Sequence, residues 1–439
     1  MIYRRLSAQP ASELALISAR ECWTYGQLLA RAERLARELE ALAGRRVMVS
    51  LSDVAEFLVS LLALDALGAT AVVLPAYTSG EKAERVAVQF GVAATLRDLT
   101  EHSVLTSAFD PARPNAQSAV VLFTSGTSGE PTPVMHTWNT LAAAVRSSAA
   151  LRGRRWLLTY QPSTFAGFQV LAQALFTGGC LVVPSGVGGS QATNSFVAHA
   201  IEFASGTPTF WRMALHGAAR GAFEGAAIRQ ITLGGEAAGQ SLLDRLAATF
   251  PDTRITHVYA STEMGVCFSV HDRREGFPLA FLQDPTLPAQ LRIEDGELLV
   301  RSTRSMTGVL GRELSGGWFR TGDLVEIHED RVLFVGRRSD TINVGGLKVH
   351  PLEVEEIIRT VEGVQEVRVH SVASSMVGEL VTARLQPVEG IDREQLRAAV
   401  LSRCREKLPK HKVPARIGFV PRVATNAAGK LSRNGSGDA

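Results

Sequence analysis

Cysteine and long apolar runs are scarce in this chain, and each scarcity excludes a class of protein. The four cysteines (Cys22, Cys180, Cys267 and Cys404) are widely scattered over 439 residues and show no metal-ligand spacing, which excludes a disulfide scaffold and a cysteine-based zinc site. No run of about 18 apolar residues occurs, so we expect no membrane-spanning helix. The apolar stretch near the N-terminus is broken too early for a signal peptide, and the sequence therefore predicts a cytoplasmic protein.

An excess of charge of either sign is also absent. The net charge of +3 is too small to predict nucleic acid or a membrane as a partner. Only six of the 46 basic residues are lysines, and two of them, Lys348 and Lys430, lie inside candidate motifs. Arginine does not replace lysine where the chemistry needs a compact point charge, so both lysines are candidates for function.

The apolar pattern alternates strands with helices over most of the chain, which predicts a layered α/β domain with parallel strands. The predicted strands cover residues 45–51, 69–75, 156–160, 180–184, 230–233 and 254–259, and the predicted helices cover residues 26–42, 53–67, 80–90, 167–176 and 240–250. Short strands and turns follow Glu294. Beyond about Asp340, helices over 353–361 and 392–408 and strands over 364–370 and 379–386 predict a small α+β domain.

The most informative stretch is residues 123–131, Phe-Thr-Ser-Gly-Thr-Ser-Gly-Glu-Pro, which follows an apolar strand. A loop of this composition offers several backbone N–H groups and hydroxyls to one small volume, and its glycines let an anion approach the backbone closely. Its natural ligand is phosphate. No lysine follows Gly126 or Gly129, so the loop is not the Walker A motif of P-loop nucleotide hydrolases.

Five further motifs follow in a fixed order. They are Gly234-Gly235-Glu236, Tyr259-Ala260-Ser261-Thr262-Glu263, residues 319–323 (Phe-Arg-Thr-Gly-Asp), residues 336–349 (beginning Gly-Arg-Arg-Ser-Asp) and residues 426–431 (Asn-Ala-Ala-Gly-Lys-Leu). This set and its order resemble the adenylate-forming superfamily, which comprises acyl- and aryl-CoA synthetases, adenylation domains of nonribosomal peptide synthetases, and luciferases. The resemblance spans nearly the whole chain, from residue 23 to residue 430.

The resemblance implies both a fold and a reaction. The expected fold is α/β, a large layered N-terminal domain with parallel sheets followed by a small α+β C-terminal lid. We expect residues 1–336 to bind ATP and the acid, 337–340 to form a hinge containing Asp340, 341–432 to form the lid, and 433–439 to be a disordered tail. The expected reaction converts a carboxylic acid and ATP to acyl-AMP and pyrophosphate, then transfers the acyl group to a thiol.

ATP and Mg²⁺ are the implied cofactors, and the resemblance assigns a role to each motif residue. The loop residues Thr124, Ser125, Gly126, Thr127, Ser128 and Gly129 would wrap the outer phosphates. The nucleoside would contact Gly234, Gly235, Glu236, Tyr259, Ala260, Ser261, Asp323 and Arg337, with the Tyr259 ring stacked on the adenine and Asp323 bound to the ribose. The catalytic residues would be Lys430, Thr262 and Glu263, with Glu263 also a ligand of Mg²⁺. In a second state of the lid, Gly345, Gly346 and Lys348 would line the thiol tunnel.

Two departures from the family pattern stand out. Thr132 occupies the position of a lysine that normally aids binding of the outer phosphates, so a lower ATP affinity or rate is expected while the chemistry at the α-phosphate is kept. The stretch between Leu96 and Val120 is short for the family, and part of the N-terminal domain is expected to be trimmed.

The acid pocket is expected to include Phe165, Ala166, Phe210 and Trp211. Relatives that activate α-amino acids carry an aspartate where this chain has Ala166, and a buried substrate ammonium without that partner would be costly, so we expect an acid that is not an α-amino acid. The aromatic side chains favour an apolar or aromatic pocket, although packing in the core explains them equally well. Aryl, short aliphatic and medium-chain acids all remain open.

The thiol acceptor is also open at this stage. Coenzyme A and a free-standing acyl carrier protein both fit, because no carrier domain follows Lys430 in the sequence. Nucleic acid and membrane are not expected partners. The alternative function is a non-catalytic member of the same fold that binds nucleotide or an acyl chain. Thr132 and the trimmed N-terminal region support that alternative. Glu263, Asp323, Arg337 and Lys430 oppose it, since a binding module has no need of the lysine.

Overall fold

The structure is a computed structural model that describes residues 1–99, 119–124, 132–184, 189–217, 222–306, 308–309, 317–374, 378–425 and 429–431. Eleven α-helices and twenty-four strands occur in these residues. The helices are α1 (Ile2–Ser7), α2 (Tyr25–Glu38), α3 (Val54–Ala66), α4 (Gly80–Gln89), α5 (Trp138–Ala142), α6 (Phe165–Phe176), α7 (Gly189–Ala198), α8 (Pro208–Gly217), α9 (Gln240–Thr249), α10 (Pro351–Arg359) and α11 (Arg393–Lys407).

The strands form four sheets and are numbered in chain order. They are β1 (Leu14–Ile17), β2 (Cys22–Thr24), β3 (Arg46–Val49), β4 (Thr70–Val73), β5 (Ala94–Leu96), β6 (Ala119–Thr124), β7 (Thr132–Thr137), β8 (Arg155–Leu158), β9 (Cys180–Val182), β10 (Phe203–Gly206), β11 (Gln230–Gly234), β12 (Arg254–Ser261), β13 (Gly265–Val270), β14 (Phe277–Pro278), β15 (Ala289–Glu294), β16 (Glu297–Ser302), β17 (Gly308–Val309), β18 (Phe319–His328), β19 (Arg331–Arg337), β20 (Ile342–Val344), β21 (Leu347–Val349), β22 (Val364–Ser374), β23 (Gly378–Pro387) and β24 (Arg416–Phe419).

Two largely parallel sheets make up most of the molecule. The first has eight strands in the order β13-β12-β11-β10-β8-β9-β1-β2, and the second has six in the order β17-β7-β6-β4-β3-β5. Helices α2, α3 and α6 pack between them, and their buried apolar side chains form one core with those of both sheets. Burial on both faces explains why these strands are continuous apolar runs in the sequence.

Two smaller sheets follow, the first antiparallel and the second mixed, because β24 pairs with β23 in parallel. The sheet β14-β19-β18-β16-β15 has its own apolar core around Phe268 and Phe277. The last sheet, β20 to β24, packs against α10 and α11 and forms the α+β C-terminal domain, whose core is rich in valine and leucine. The predicted fold class, a layered α/β body with a small α+β lid, is confirmed.

Several observed elements differ from the sequence predictions, and two of them show why. Helix α6 begins at Phe165, two residues before the predicted start, because the Thr164 hydroxyl accepts the Gly167 N–H and caps the helix. Strand β1 was not predicted; its residue Leu16 pairs with Leu181 of β9, and a pairing so distant in sequence leaves no local pattern.

Some predictions stay untested by this architecture. Residues Arg338–Asp340 form one 3₁₀ turn between β19 and β20, and the domain boundaries at 336 and 340 stay predictions. Most of the stretch predicted to be trimmed, and the 433–439 tail, lie outside the described residues. In the described part of the chain, no helix combines the length and the apolar character needed to cross a membrane.

Candidate active site

The carboxyl ends of β11 and β12 form the sheet edge at which the motif residues meet. The two strands are parallel neighbours, with Gly234 paired to Val258, so the turn after Gly234 and the last residues of β12, Tyr259 to Ser261, lie at the same edge. Ligands of open α/β sheets bind outside this edge. The topology therefore places two of the predicted nucleotide-binding motifs side by side.

Tyr259 is held in a fixed plane beside Asp323. Its ring lies nearly parallel to those of Phe268 and Phe334, with centroids 5.2 Å away in each case. Its hydroxyl donates to Asp323 Oδ2 at 2.6 Å, and Arg337 Nε donates to Oδ1 at 3.0 Å. Burial and then the charge of Asp323 raise the pKa of Tyr259, so the phenol keeps its proton. Each oxygen of Asp323 keeps accepting capacity, which suits the two hydroxyls of a ribose.

Lys430 of the C-terminal domain lies against the turn that follows β11. Gly235 has φ of +89°, and a Cβ on it would lie 2.9 Å from Lys430 Cε. Glycine is favoured here because a side chain would strain the backbone at this positive φ, and a Cβ would also make the lysine side chain shift. The sequence had named both residues, and the structure brings them into contact.

Thr207 and Glu236 form hydrogen bonds with the backbone on both sides of Lys430. The Thr207 hydroxyl donates to the carbonyl of Gly429 at 2.8 Å, and the N–H of Leu431 donates to Glu236 Oε1 at 2.8 Å. The second oxygen of Glu236 accepts both the N–H and the hydroxyl of Thr209, at 3.0 and 2.7 Å. Glu236 thus ties helix α8 to the lysine segment, and its predicted place beside the adenine stays a prediction.

The charged groups around Lys430 set its proton affinity. Burial, and then the positive charge of Arg337, lower the pKa of Lys430, whereas the carboxylates of Glu236, Asp323 and Glu263 act in the opposite direction. The lysine is therefore a desolvated cation within electrostatic range of three carboxylates. Such a group suits the stabilisation of negative charge that develops during a reaction.

Thr262 and Glu263 follow β12, and a buried histidine fixes their backbone. His136 Nε2 donates to the Thr262 carbonyl at 2.6 Å, and its Nδ1 lies 3.0 Å from the Thr140 hydroxyl. Burial lowers the pKa of His136, so the ring is neutral with its proton on Nε2. The Glu263 carbonyl accepts the N–H of Met306 at 2.8 Å. Both predicted catalytic residues are thus anchored through the main chain.

Mg²⁺ fits this arrangement as an ion shared with a phosphate ligand. Among the described residues, no three His, Cys, Asp or Glu side chains converge on one point to hold a metal. Mg²⁺ is commonly bound by one or two carboxylates together with substrate phosphates and water, and Glu263 would supply such a carboxylate. When bound, the ion would neutralise charge on the phosphate oxygens.

The space predicted for the acid has aromatic and small side chains around it. Phe165 lies at the start of α6 with its ring 5.9 Å from that of His136, and the buried Tyr160 donates to the carbonyl of Gly234 at 3.2 Å. Ala166 packs partly buried against the same core. A Cβ on Gly167 would lie 2.0 Å from the Gln161 carbonyl oxygen, so only glycine lets α6 pack here.

Phe210 and Trp211 are buried, as the core alternative predicted. The Trp211 side chain is fully buried, with its ring packed against Phe196 and Phe250, and Phe210 is 5% exposed. This environment gives both residues a packing role in the core beneath α8. Their contact with an acid stays a prediction.

Other predicted residues lie away from Lys430 or outside the described part. Gly345, Gly346 and Lys348 are exposed in the hairpin of β20 and β21, so the proposed tunnel role stays a prediction. Asp340 ends the 3₁₀ turn and accepts the Ser339 hydroxyl at 2.9 Å. In the predicted phosphate loop, the structure describes only the flanking residues. Thr124 and Thr132 are paired across β6 and β7. The loop residues Ser125, Gly126, Thr127, Ser128 and Gly129 lie outside the described residues.

His136, helix α8 and the hydrogen bonds of Thr207 and Thr209 were not predicted from the sequence, which placed residues 206–211 in the acid pocket. A lone histidine or threonine carries no signal of its own. Helix α8 did have one, because Thr207 followed by Pro208 is a typical helix start, and the Thr207 hydroxyl does accept the N–H of Phe210 at 3.0 Å.

Comparisons with known proteins agree with this geometry. The profile of the AMP-binding enzymes matches residues 3–114 and 94–310, and that of the AMP-binding enzyme C-terminal domain matches residues 353–430. The 2-succinylbenzoate–CoA ligase of Bacillus subtilis is 26% identical, over 97% of this chain and 95% of its own length. That of Geobacillus kaustophilus is 37% identical over 34% of each chain.

Solved structures are similar over almost the whole chain. The o-succinylbenzoate CoA synthetase of Bacillus subtilis, in complex with an acyl-adenylate intermediate, has a TM-score of 0.76 at 25% identity and covers 99% of this chain and 97% of its own. An anthranilate CoA ligase in complex with anthranoyl-AMP has a TM-score of 0.82 at 20% identity, with 98% and 94% covered, and shows the shared fold.

Proposed function

This chain belongs to the AMP-binding enzymes and is an AMP-forming acid–thiol ligase that uses ATP and Mg²⁺, and we propose that it joins an aromatic carboxylic acid to coenzyme A. The observation that carries the proposal is the placement of Lys430 against the turn after β11, within electrostatic range of Glu263 and of Asp323, which in turn accepts the Tyr259 hydroxyl. These groups supply a nucleoside site, a carboxylate for a metal and a cation in one place.

The first step forms the acyl-adenylate. A carboxylate oxygen of the acid attacks the α-phosphorus of ATP, an O–P bond forms, and the bond to the pyrophosphate oxygen breaks. Lys430 would stabilise the charge shared between the incoming carboxylate and the α-phosphate, and Thr262 would contact that phosphate. Holding two anions together is the main difficulty of this step, and the buried ammonium meets it.

The second step transfers the acyl group. The thiol sulfur attacks the acyl carbonyl, a C–S bond forms, the C–O bond to AMP breaks, and the thiol proton passes to solvent. AMP is a good leaving group because its phosphate bears the charge, so this step has no need of the Lys430 ammonium. We assign the thiol to coenzyme A because the relatives similar over nearly the whole chain are CoA ligases.

An aromatic acid fits the side chains around the predicted pocket. Phe165, Tyr160 and His136 present flat rings, and Ala166 offers no charge to a substrate ammonium. The curated relatives are named for 2-succinylbenzoate, a benzoate that carries a second acidic arm. We therefore propose 2-succinylbenzoate as the first candidate acid and other substituted benzoates as the next.

A panel of acids tests the proposal. Purified protein with ATP and Mg²⁺ is assayed for pyrophosphate release with 2-succinylbenzoate, anthranilate, benzoate, octanoate and phenylalanine, and for thioester with CoA or with a phosphopantetheinylated carrier protein. We expect release with a benzoate and thioester with CoA, and loss of release in Lys430→Ala by roughly 100-fold or more. Release with octanoate or phenylalanine alone, or thioester on the carrier alone, would contradict the proposed acid or acceptor.

A further inference from the structure

A buried ion pair joins the C-terminal domain to helix α8. Arg212 Nε donates to Glu366 Oε2 at 2.8 Å, and the two side chains are only 9% and 2% exposed. The other oxygen of Glu366 accepts Arg359 Nε at 2.9 Å and the N–H of Val367 at 3.0 Å. Arg359 and Glu366 both belong to the C-terminal domain, so Arg212 is the member of this cluster that comes from the large body.

The ion pair is continuous with the contacts that seat Lys430. Arg212 Nη2 donates to the Thr209 hydroxyl at 2.8 Å, and that hydroxyl donates to Glu236 Oε2 at 2.7 Å. Glu236 Oε1 in turn accepts the N–H of Leu431, the residue after the lysine. An unbroken chain of hydrogen bonds therefore runs from Glu366 to the backbone beside Lys430.

The lysine segment and Glu366 are connected within the C-terminal domain. The N–H of Val423 donates to Gln386 on β23, and β23 pairs with β22, which carries Glu366. Any movement that withdraws Lys430 from Gly235 together with this sheet also separates Glu366 from Arg212. Taking one partner from a buried charge pair is strongly unfavourable, so the pair resists that movement.

We propose that Arg212, through Glu366 and the Thr209–Glu236 bridge, is a positioning residue that holds Lys430 in place for adenylation. This inference rests on the proposed function of Lys430. The Arg212–Glu366 ion pair favours the arrangement in which Lys430 lies beside Gly235. It contributes nothing to thioester formation, because that step does not use the Lys430 ammonium. It acts at a distance from the reacting atoms and touches neither ATP nor acid in this account.

The test variant is Arg212→Met, which keeps the length of the side chain and removes its charge. Glu366 keeps Arg359 and the Val367 N–H in this variant, so the C-terminal domain retains its internal charge balance. Glu366→Gln tests the same pair from the other side with almost unchanged volume. Arg229→Met is the matched control, because Arg229 pairs with Glu202 on the same body and is 60% exposed.

Two activity measurements distinguish a loss of Lys430 positioning from a general loss of folded enzyme. We expect Arg212→Met and Glu366→Gln to slow acid-dependent pyrophosphate release roughly 10- to 100-fold. Thioester formation from chemically prepared acyl-adenylate and CoA should stay within about twofold of wild type, as should both rates in Arg229→Met. An equal loss in both steps in Glu366→Gln would overturn the proposal, because a merely structural role predicts it.

A third measurement does not depend on activity. The chain has six lysines, so acetylation by N-hydroxysuccinimidyl acetate followed by peptide mass mapping reports each one. Lys430 should react slowly in wild type and about tenfold faster in Arg212→Met and Glu366→Gln, while Lys407, whose side chain is 47% exposed, should react alike in all. Unchanged reactivity of Lys430 would overturn the proposal. If wild type released no pyrophosphate with any acid, the proposed function would fail while this readout still tested the seating.

Discussion

At the scale of single residues, the site depends on a buried lysine whose charge is balanced by its neighbours. Lys430 packs closely against Gly235, which lacks a side chain. The motifs and their order in the sequence identified Lys430 and Gly235 as candidates, but they did not predict that the two residues touch. His136 and Thr209 could not have been found in this way, because their importance comes from partners that the fold brings close: the Thr262 carbonyl, 126 positions away from His136, and the Glu236 carboxylate.

The lowered pKa of Lys430 predicts a pH dependence of adenylation. An amine whose pKa is lowered loses its proton earlier as pH rises, so the charged, active form is lost below the usual lysine value of 10.5. We expect kcat/KM for pyrophosphate release to fall with an apparent pKa below 10.5. Burial is the main cause and Arg337 adds to it.

The control for this profile is Lys430→Arg. Arginine stays charged throughout the accessible range, so the variant should be slower but should show no fall at alkaline pH. The same alkaline fall in wild type and in Lys430→Arg would assign the titration to another group and contradict the account.

At the scale of helices and strands, local patterns predicted most elements but not how distant ones join. The apolar run predicted as a helix over residues 53–67 matches α3, which is buried on nearly all sides. The side chain of its N-cap residue, Asp53, accepts two backbone N–H groups. The contact between α8 and β22, made by the Arg212–Glu366 ion pair, corresponds to no pattern in the sequence. Arg212 and Glu366 are 154 positions apart, and a charged residue within an apolar stretch does not reveal its partner.

The ion pair between Arg212 of α8 and Glu366 of β22 predicts a loss of folding stability at acid pH. Burial would raise the pKa of Glu366, but Arg212 and Arg359 outweigh it and lower the pKa to about 2, from an ordinary value of 4.5. A carboxyl with a lowered pKa stabilises the fold above its unfolded pKa and loses that contribution as pH falls through the folded one. We therefore expect the contribution to be lost between about pH 4.5 and pH 2.

Urea midpoints at several pH values measure this effect. The midpoint of wild type should fall more steeply in that window than the midpoint of Glu366→Gln, by the equivalent of roughly 2–3 kcal/mol. Glu394→Gln, which removes an exposed pair with Arg397, should follow wild type. Parallel curves for wild type and Glu366→Gln would show that the pair carries no pH-linked stability.

At the scale of the whole molecule, the large body and the C-terminal domain meet at the candidate active site. The large α/β body supplies the sheet edge with Tyr259 and Glu263, and the C-terminal domain supplies Lys430 from near the end of the chain. The alternation of strands and helices was enough to predict the class of both bodies. It could not predict that Glu236 would face the C-terminal segment, because that contact joins residues 195 positions apart in the sequence.

The most direct test of the account follows the oxygen atoms of the acid. The enzyme is supplied with ATP, Mg²⁺, CoA and the active acid from the panel, labelled with ¹⁸O in its carboxylate, and the products are analysed by mass spectrometry. Attack of the carboxylate on the α-phosphorus, followed by cleavage of the C–O bond, predicts one ¹⁸O in AMP and none in pyrophosphate. Unlabelled AMP, or label in inorganic phosphate, would contradict an acyl-adenylate as the intermediate.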